Sequence, residues 1–276
     1  MTSSISKYSN LTQRIIAGLL GSAGIIAAVC YSDWTYFLVF FIICLFSLLE
    51  FYKLAAVDGV VPERVLGTVG GILVFILSFL VEKGQVSAVW YIVIFPLMAM
   101  AYIIKLYKKE ERKPFTNIAF TFLGVFYIAI PFALLNITAF SSGTYNFEII
   151  FGCLFILWAS DTGAYFAGTY LGKTKLFERI SPKKSWEGFF GGALLALVFA
   201  LGIAHYFQSL TIVQWLVVWV IIMVGGTFGD LVESLLKRSI AIKDSGSSIP
   251  GHGGFLDRFD GLFLAAPFIA AYLKLF

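Results

Sequence analysis

The stretch DLVESLLKRSIAIKDSGSSIPGHGGFLDRFD, residues 230–260, lies between two apolar segments and resembles neither. It carries Asp230, Glu233, Ser234, Lys237, Arg238, Lys243, Asp244, His252, Asp257, Arg258 and Asp260, with Gly246, Gly251, Gly253 and Gly254 among them. Charge set against a membrane is costly, so its presence there points to function. The apolar run from Trp215 to Val224 predicts a helix leading in. If that helix continues, Asp230, Glu233, Ser234 and Lys237 fall at i, i+3, i+4 and i+7 and share one face. A stripe of carboxylate, hydroxyl and ammonium groups suits a metal and a phosphate together. Beyond Lys243 and Asp244, the glycines and Pro250 end regular helix. The loop Gly251-His252-Gly253-Gly254 brings backbone N–H groups within close reach of an anion. Asp257 opens the last apolar segment, where an acid also serves as a helix cap.

Composition fixes the class around this stretch. Of 276 residues, 59% are hydrophobic and 13% charged, about half the charge of a soluble domain. Mean hydropathy is +0.90. The expected fold is all-α, a polytopic integral membrane protein of about nine transmembrane helices. They span roughly 14–31, 34–54, 65–82, 87–106, 117–138, 147–170, 188–207, 211–232 and 259–275, since runs of about 18 or more apolar residues read as spanning helices. The alternation of a membrane barrel is absent. All basic residues except Lys83 and Lys274 fall on one set of loops, so the positive-inside rule places the N-terminus and the stretch 230–260 in the cytoplasm. The net charge of +4 reports this asymmetry and gives no sign of nucleic-acid binding. Cys30, Cys44 and Cys153 lie in apolar segments and read as packing residues.

Two further places carry chemistry. Asp161, in WASDTGAY, sits inside the sixth span, where a carboxylate must face a polar cavity or a partner. The loop from Gly172 to Gly188 holds Lys173, Lys183, Lys184 and Ser185, which suit phosphate groups. It is no P-loop, because Ala167 stands where the first glycine would be needed. The bland reading of its lysines is positive-inside charge or headgroup attraction. Bland readings also serve elsewhere. Lys105 to Lys113 reads as a solvated loop, Glu50 as snorkelling or paired with Lys53, and His205 as interfacial. Trp34, Trp90, Trp215 and Trp219 read as interfacial belts. The chain divides into membrane helices over 1–140 and a catalytic half over 141–276, with loops 171–188 and 233–260.

The order Ser234-x-x-Lys237-Arg238, Lys243-Asp244-x-Gly246, Ile249-Pro250-x-His252-Gly253-Gly254-Phe255-x-Asp257-Arg258-Phe259-Asp260 resembles the signature of the phosphatidate cytidylyltransferases, also called CDP-diacylglycerol synthases. The Asp161 segment and the loop 181–188 resemble that family too. The resemblance implies that CTP and phosphatidate react to give CDP-diacylglycerol and pyrophosphate. It implies Mg2+, room for a second cation such as K+, and a homodimer in the inner (cytoplasmic) membrane among membrane lipid. The residues fit this chemistry. Metal ions and basic side chains offset charge when phosphate meets phosphate. Asp230 and Asp257 are the expected metal ligands, with Asp161 and Asp260 in reserve. Lys237, Arg238, Lys243 and Arg258 are expected on the phosphates, aided by Lys173, Lys183, Lys184, Ser185 and Ser234. Gly253 and Gly254 would let backbone donors reach pyrophosphate, His252 would orient a phosphate, and Asp244 would orient Lys243 or Arg238. Two other readings are a CTP-dependent lipid-alcohol kinase and an ion or phosphate transporter.

Overall fold

The computed structural model describes residues 10–242 and 253–276. All nine predicted segments are helical. They form α1 (Asn10–Tyr31), α2 (Asp33–Ala55), α3 (Arg64–Glu82), α4 (Ile94–Leu106, after a 3-10 stretch Ala88–Val93), α5 (Pro114–Gly124) continued as α6 (Ile130–Ala139), α7 (Phe147–Leu171), α8 (Trp186–Tyr206), α9 (Ile212–Ser239) and α10 (Leu256–Leu275). Seven of these stretches are long and apolar enough to cross a membrane. The others are α1 and α10, and α10 begins with Asp257, Arg258 and Asp260. The fold is therefore an all-α polytopic membrane protein.

Local sequence explains the breaks. Ser32 caps α2 and Thr211 caps α9, each through a capping box with Thr35 or Gln214. Between α5 and α6 one π-helical turn runs from Val125 to Ala129. Pro131 follows it. A proline has no N–H to give, and its ring presses on the carbonyl four residues back, so a widened turn there relieves the clash.

One buried polar group knits three helices. Asn136 is fully buried on α6; it accepts from the Tyr36 hydroxyl at 3.0 Å and donates to the Phe75 carbonyl and Ser78 Oγ. One side chain thus ties α2, α3 and α6. The apolar core surrounds this node with Phe40, Leu48, Phe75, Phe79 and Phe132.

Helix pairs close on small residues. A Cβ on Gly229 of α9 would stand 2.4 Å from the Asp260 carbonyl oxygen on α10, and one on Gly225 would stand 3.0 Å from the Ala265 Cα. A Cβ on Gly192 of α8 would stand 2.7 Å from the Ser160 carbonyl oxygen on α7. In lipid, helices associate through such close approach.

Several bland expectations are corrected. Trp215 is no interfacial residue. It is fully buried in a slot left by Gly152 on α7, where a Cβ would meet the indole at 2.2 Å. Lys105 is no solvated charge, being 4% exposed, bonded to the Val61 carbonyl at 2.7 Å and paired with Glu63 and Glu111. Burial alone would raise the Glu63 carboxyl. Hydrogen bonds from Lys108 and Lys105 outweigh it and hold the group below the ordinary carboxylate range. Glu50 neither snorkels nor pairs with Lys53, because its carboxylate is buried and accepts the Leu256 backbone N–H. The three cysteines are free, as expected.

Gly229→Ala should destabilise the protein by about 1–3 kcal/mol, since the obstructing atom is backbone and cannot swing away. Gly202 has nothing within 4 Å of its would-be Cβ, so Gly202→Ala should lose nothing. Thermal unfolding of both variants in one detergent tests the contrast.

Candidate active site

α7 and α9 finish, and α8 and α10 begin, at the same end of the bundle. A cavity of about 480 Å³ opens there. Its walls carry Asp161 and Tyr165 from α7, Lys183 and Lys184 from the preceding loop, Thr227 and Asp230 from α9, and Asp257, Arg258 and Asp260 from α10.

The loop between α7 and α8 is more ordered than sequence suggests. Lys175–Phe177 (β1) and Ser181–Ser185 (β2) pair antiparallel, with Lys175 opposite Ser185 and Phe177 opposite Ser181. Glu187 accepts the backbone N–H groups of Lys173 and Thr174 at 3.1 Å and ties the start of the hairpin to α8. Ser185 accepts from Gly188 N at 3.1 Å. Its hydroxyl therefore starts α8. The hairpin delivers Lys184, whose Nζ lies 2.6 Å from Asp230 Oδ2.

α9 runs unbroken to Ser239, so the predicted stripe is real. Ser234 Oγ donates to Asp230 Oδ1 at 3.2 Å. Lys237 pairs with Glu233 one turn back and, at 2.8 Å, with Asp257 Oδ1 on α10. The other Asp257 oxygen accepts Gly254 N at 3.0 Å. Gly253 precedes it at φ +86°, and a Cβ there would meet Asp257 Oδ2 at 2.7 Å. Only glycine suits that turn. Gly254 thus spends its donor on Asp257, and Asp257 locks the end of α9 to the start of α10.

Asp161, Asp230 and Asp260 differ from Asp257. They face the cavity from three helices, and their charges act on one another and on Lys184. Among the described residues no three His, Cys, Asp or Glu side chains converge into a ready metal shell. The donor set still fits a hard cation. Magnesium takes oxygen ligands, keeps several waters and needs only one or two carboxylates. Separate carboxylates around a cavity roomy enough for a hydrated ion meet that demand.

Other expected residues stand apart from the cavity wall. Lys173 is exposed, Arg238 bonds to the Ile242 carbonyl at 3.3 Å, and neither lines the cavity. Lys243, Asp244 and His252 lie outside the described residues. Ser160, Tyr165 and Thr227 were missed. Tyr165 lies four residues after Asp161 and Thr227 three before Asp230, so helical spacing alone would have placed them.

With this geometry in view, comparison with known proteins is direct. A sequence model described as the cytidylyltransferase family matches residues 12–276. The chain belongs to the cytidylyltransferase family. It is 33% identical over 278 residues to a phosphatidate cytidylyltransferase of Bacillus subtilis strain 168, covering 97% of this chain and 99% of that protein. It is 40% identical over 177 residues to one of Staphylococcus saprophyticus and 41% identical over 177 residues to one of Staphylococcus epidermidis, in each case 63% of this chain and 66% of the relative. The family match runs from α1 to α10 and so includes every helix around the cytidylyltransferase cavity.

Lys237→Ala should unfold the α9–α10 corner. It strands Glu233, which is fully buried, beside Asp257, a loss of about 3–5 kcal/mol. Lys184→Ala breaks a pair whose side chains are 24% and 41% exposed and should cost at most about 1 kcal/mol. Unfolding midpoints of the two variants, measured side by side, check the ranking.

Proposed function

We infer that this protein transfers a cytidylyl group from CTP to phosphatidate, giving CDP-diacylglycerol and pyrophosphate for phospholipid synthesis. It is a membrane nucleotidyltransferase. The observation that carries this reading is the cavity, where acids and bases from four structural elements meet at the end of an apolar bundle. The kinase and transporter readings are not favoured beside the family match.

In the reaction a phosphatidate phosphate oxygen attacks the α-phosphorus of CTP. A new P–O bond forms, and the bond to the β-phosphate oxygen breaks to release pyrophosphate. Phosphatidate oxygens are already largely ionised near neutral pH, so no strong general base is required. The protein must hold two anions together. Lys183, Lys184 and Arg258 border the cavity where those phosphates would lie and lower their mutual repulsion. Asp230, with Asp260 or Asp161, would hold Mg2+, and Asp257 would keep Lys237 and α10 in place. A bound magnesium would add charge neutralisation and align attack with departure. A second cation such as K+ has the remaining carboxylate available.

Tyr165 lines the cavity and is exposed, so a side opening towards lipid is proposed there. Such an opening suits a substrate whose chains resist leaving the bilayer, at about 0.8 kcal/mol per buried methylene. The proposed site faces the cytoplasm, where CTP is, a reading the basic loops support, and the proposed location is the inner membrane. The exposed apolar flanks of α4 and α8 leave room for a second copy, the homodimer that the resemblance implies.

Purified protein with phosphatidate, Mg2+ and CTP labelled at the α- or the γ-phosphate tests this. α-Label should enter lipid and γ-label should leave as pyrophosphate. γ-Label in lipid would overturn the reading. Asp230→Asn should cut turnover about 10²–10³-fold while the protein stays folded.

A further inference from the structure

Glu50 lies in the apolar run of α2 and is 6% exposed. A carboxylate there is costly unless it is used. Its Oε2 accepts the Leu256 backbone N–H at 3.0 Å, across 206 positions of sequence. Its Oε1 meets no hydrogen-bond donor. Leu256 is the first residue of α10, and the residue before it, Phe255, offers no side-chain cap. The free N–H of this helix end is met from another helix. One turn earlier on α2, Phe46 stacks on Phe255, with ring centroids 5.3 Å apart and planes 14° apart. The two contacts pin both the height and the rotation of α10 at its start. Asp257, Arg258 and Asp260 follow at once, and all three border the cavity. At about 3.6 residues per turn, a slip of one position would swing Asp260 off the cavity wall by roughly 100°.

We propose that Glu50 is a positioning residue for the transfer reaction. It holds the first N–H of α10 and thereby sets the rotation at which Asp257, Arg258 and Asp260 face the substrates. A serine or asparagine at position 255 would cap the N–H of Asp257 or Arg258 locally and leave that of Leu256 to another partner. A carboxylate reaching from α2 adds what a local cap lacks, because it fixes α10 against the rest of the bundle. The charge also sits favourably at the positive end of the helix.

The test uses the full chain in detergent with phosphatidate, as wild type, Glu50→Ala and Glu50→Gln. It rests on the cytidylyl-transfer reading for its kinetic arm. Hydrogen exchange at the Leu256 amide is read by mass spectrometry, and kcat and KM for CTP are taken per folded molecule. Glu50→Ala should speed exchange at Leu256 and lower kcat about 10- to 100-fold with a smaller change in KM. Glu50→Gln keeps an acceptor of the same reach and should restore protection and most of kcat. Faster exchange with kcat intact would reduce the contact to a staple and overturn the proposal, as would no change in either. Should the alanine variant fail to fold, Glu50→Asp replaces it. Aspartate is one methylene too short, so equal turnover in the Asp and Gln variants overturns the proposal. A wild type that makes no CDP-diacylglycerol would sink the functional reading itself, while exchange at Leu256 would still report whether Glu50 clamps α10.

Discussion

The backbones of α9 and α10 meet at Gly229, where any Cβ would stand 2.4 Å from the Asp260 carbonyl oxygen. That approach sets Asp230 and Asp260 on facing helices beside one cavity. The matching approach of α8 to α7 at Gly192 brings the hairpin lysines to the same cavity and leaves Asp161 on its wall. No hydrophobic force drives helices together in lipid, so tight backbone contact is what holds the arrangement. Its consequence is electrostatic. Three carboxylates border one cavity, and cations beside them offset their mutual repulsion. Lys184 supplies one directly, and Arg258 and Lys183 border the same volume.

The acids of this end fall into two kinds. Asp257, Glu233, Glu187 and Glu50 are turned inward, onto Lys237, the hairpin amides or the start of α10. They hold the structure together, Asp257 while also bordering the cavity. Asp161, Asp230 and Asp260 are turned to the cavity. A buried carboxylate with an internal partner tolerates little else, whereas one facing an open cavity retains oxygens for a hydrated ion. The signature alone does not separate the kinds, because Asp257 and Asp260 stand three residues apart and look equivalent in sequence.

What sequence shows and hides follows from range. Apolar length marked all nine segments as helical, and seven of them are long and apolar enough to match a bilayer's thickness. The Asp230–Lys237 stripe was legible because i, i+4 geometry is local. Contacts between distant segments were not. Glu50 and Leu256, or Trp215 and Gly152, have nothing in their spacing to announce them. Lys105 looked solvated because the Glu63 that helps to bury it lies 42 positions upstream on another element. The hairpin 175–185 was also missed, since its three- and five-residue strands are too short and too charged to show a period of two.

The division into two halves acquires a physical meaning here. Every residue bordering the cavity lies between 157 and 261, within the half expected to carry the chemistry. That half is also packed against the first. α10 packs along α6, and Phe132 and Tyr127 set their rings against Phe263. Glu50 and Phe46 of α2 meet the first residues of α10. The buried Asn136 node then locks α6 to α2 and α3. A single polar-and-aromatic chain of contacts therefore runs from the first half to the helix end that presents Asp257, Arg258 and Asp260. The first half acts as the frame that decides where those charges point.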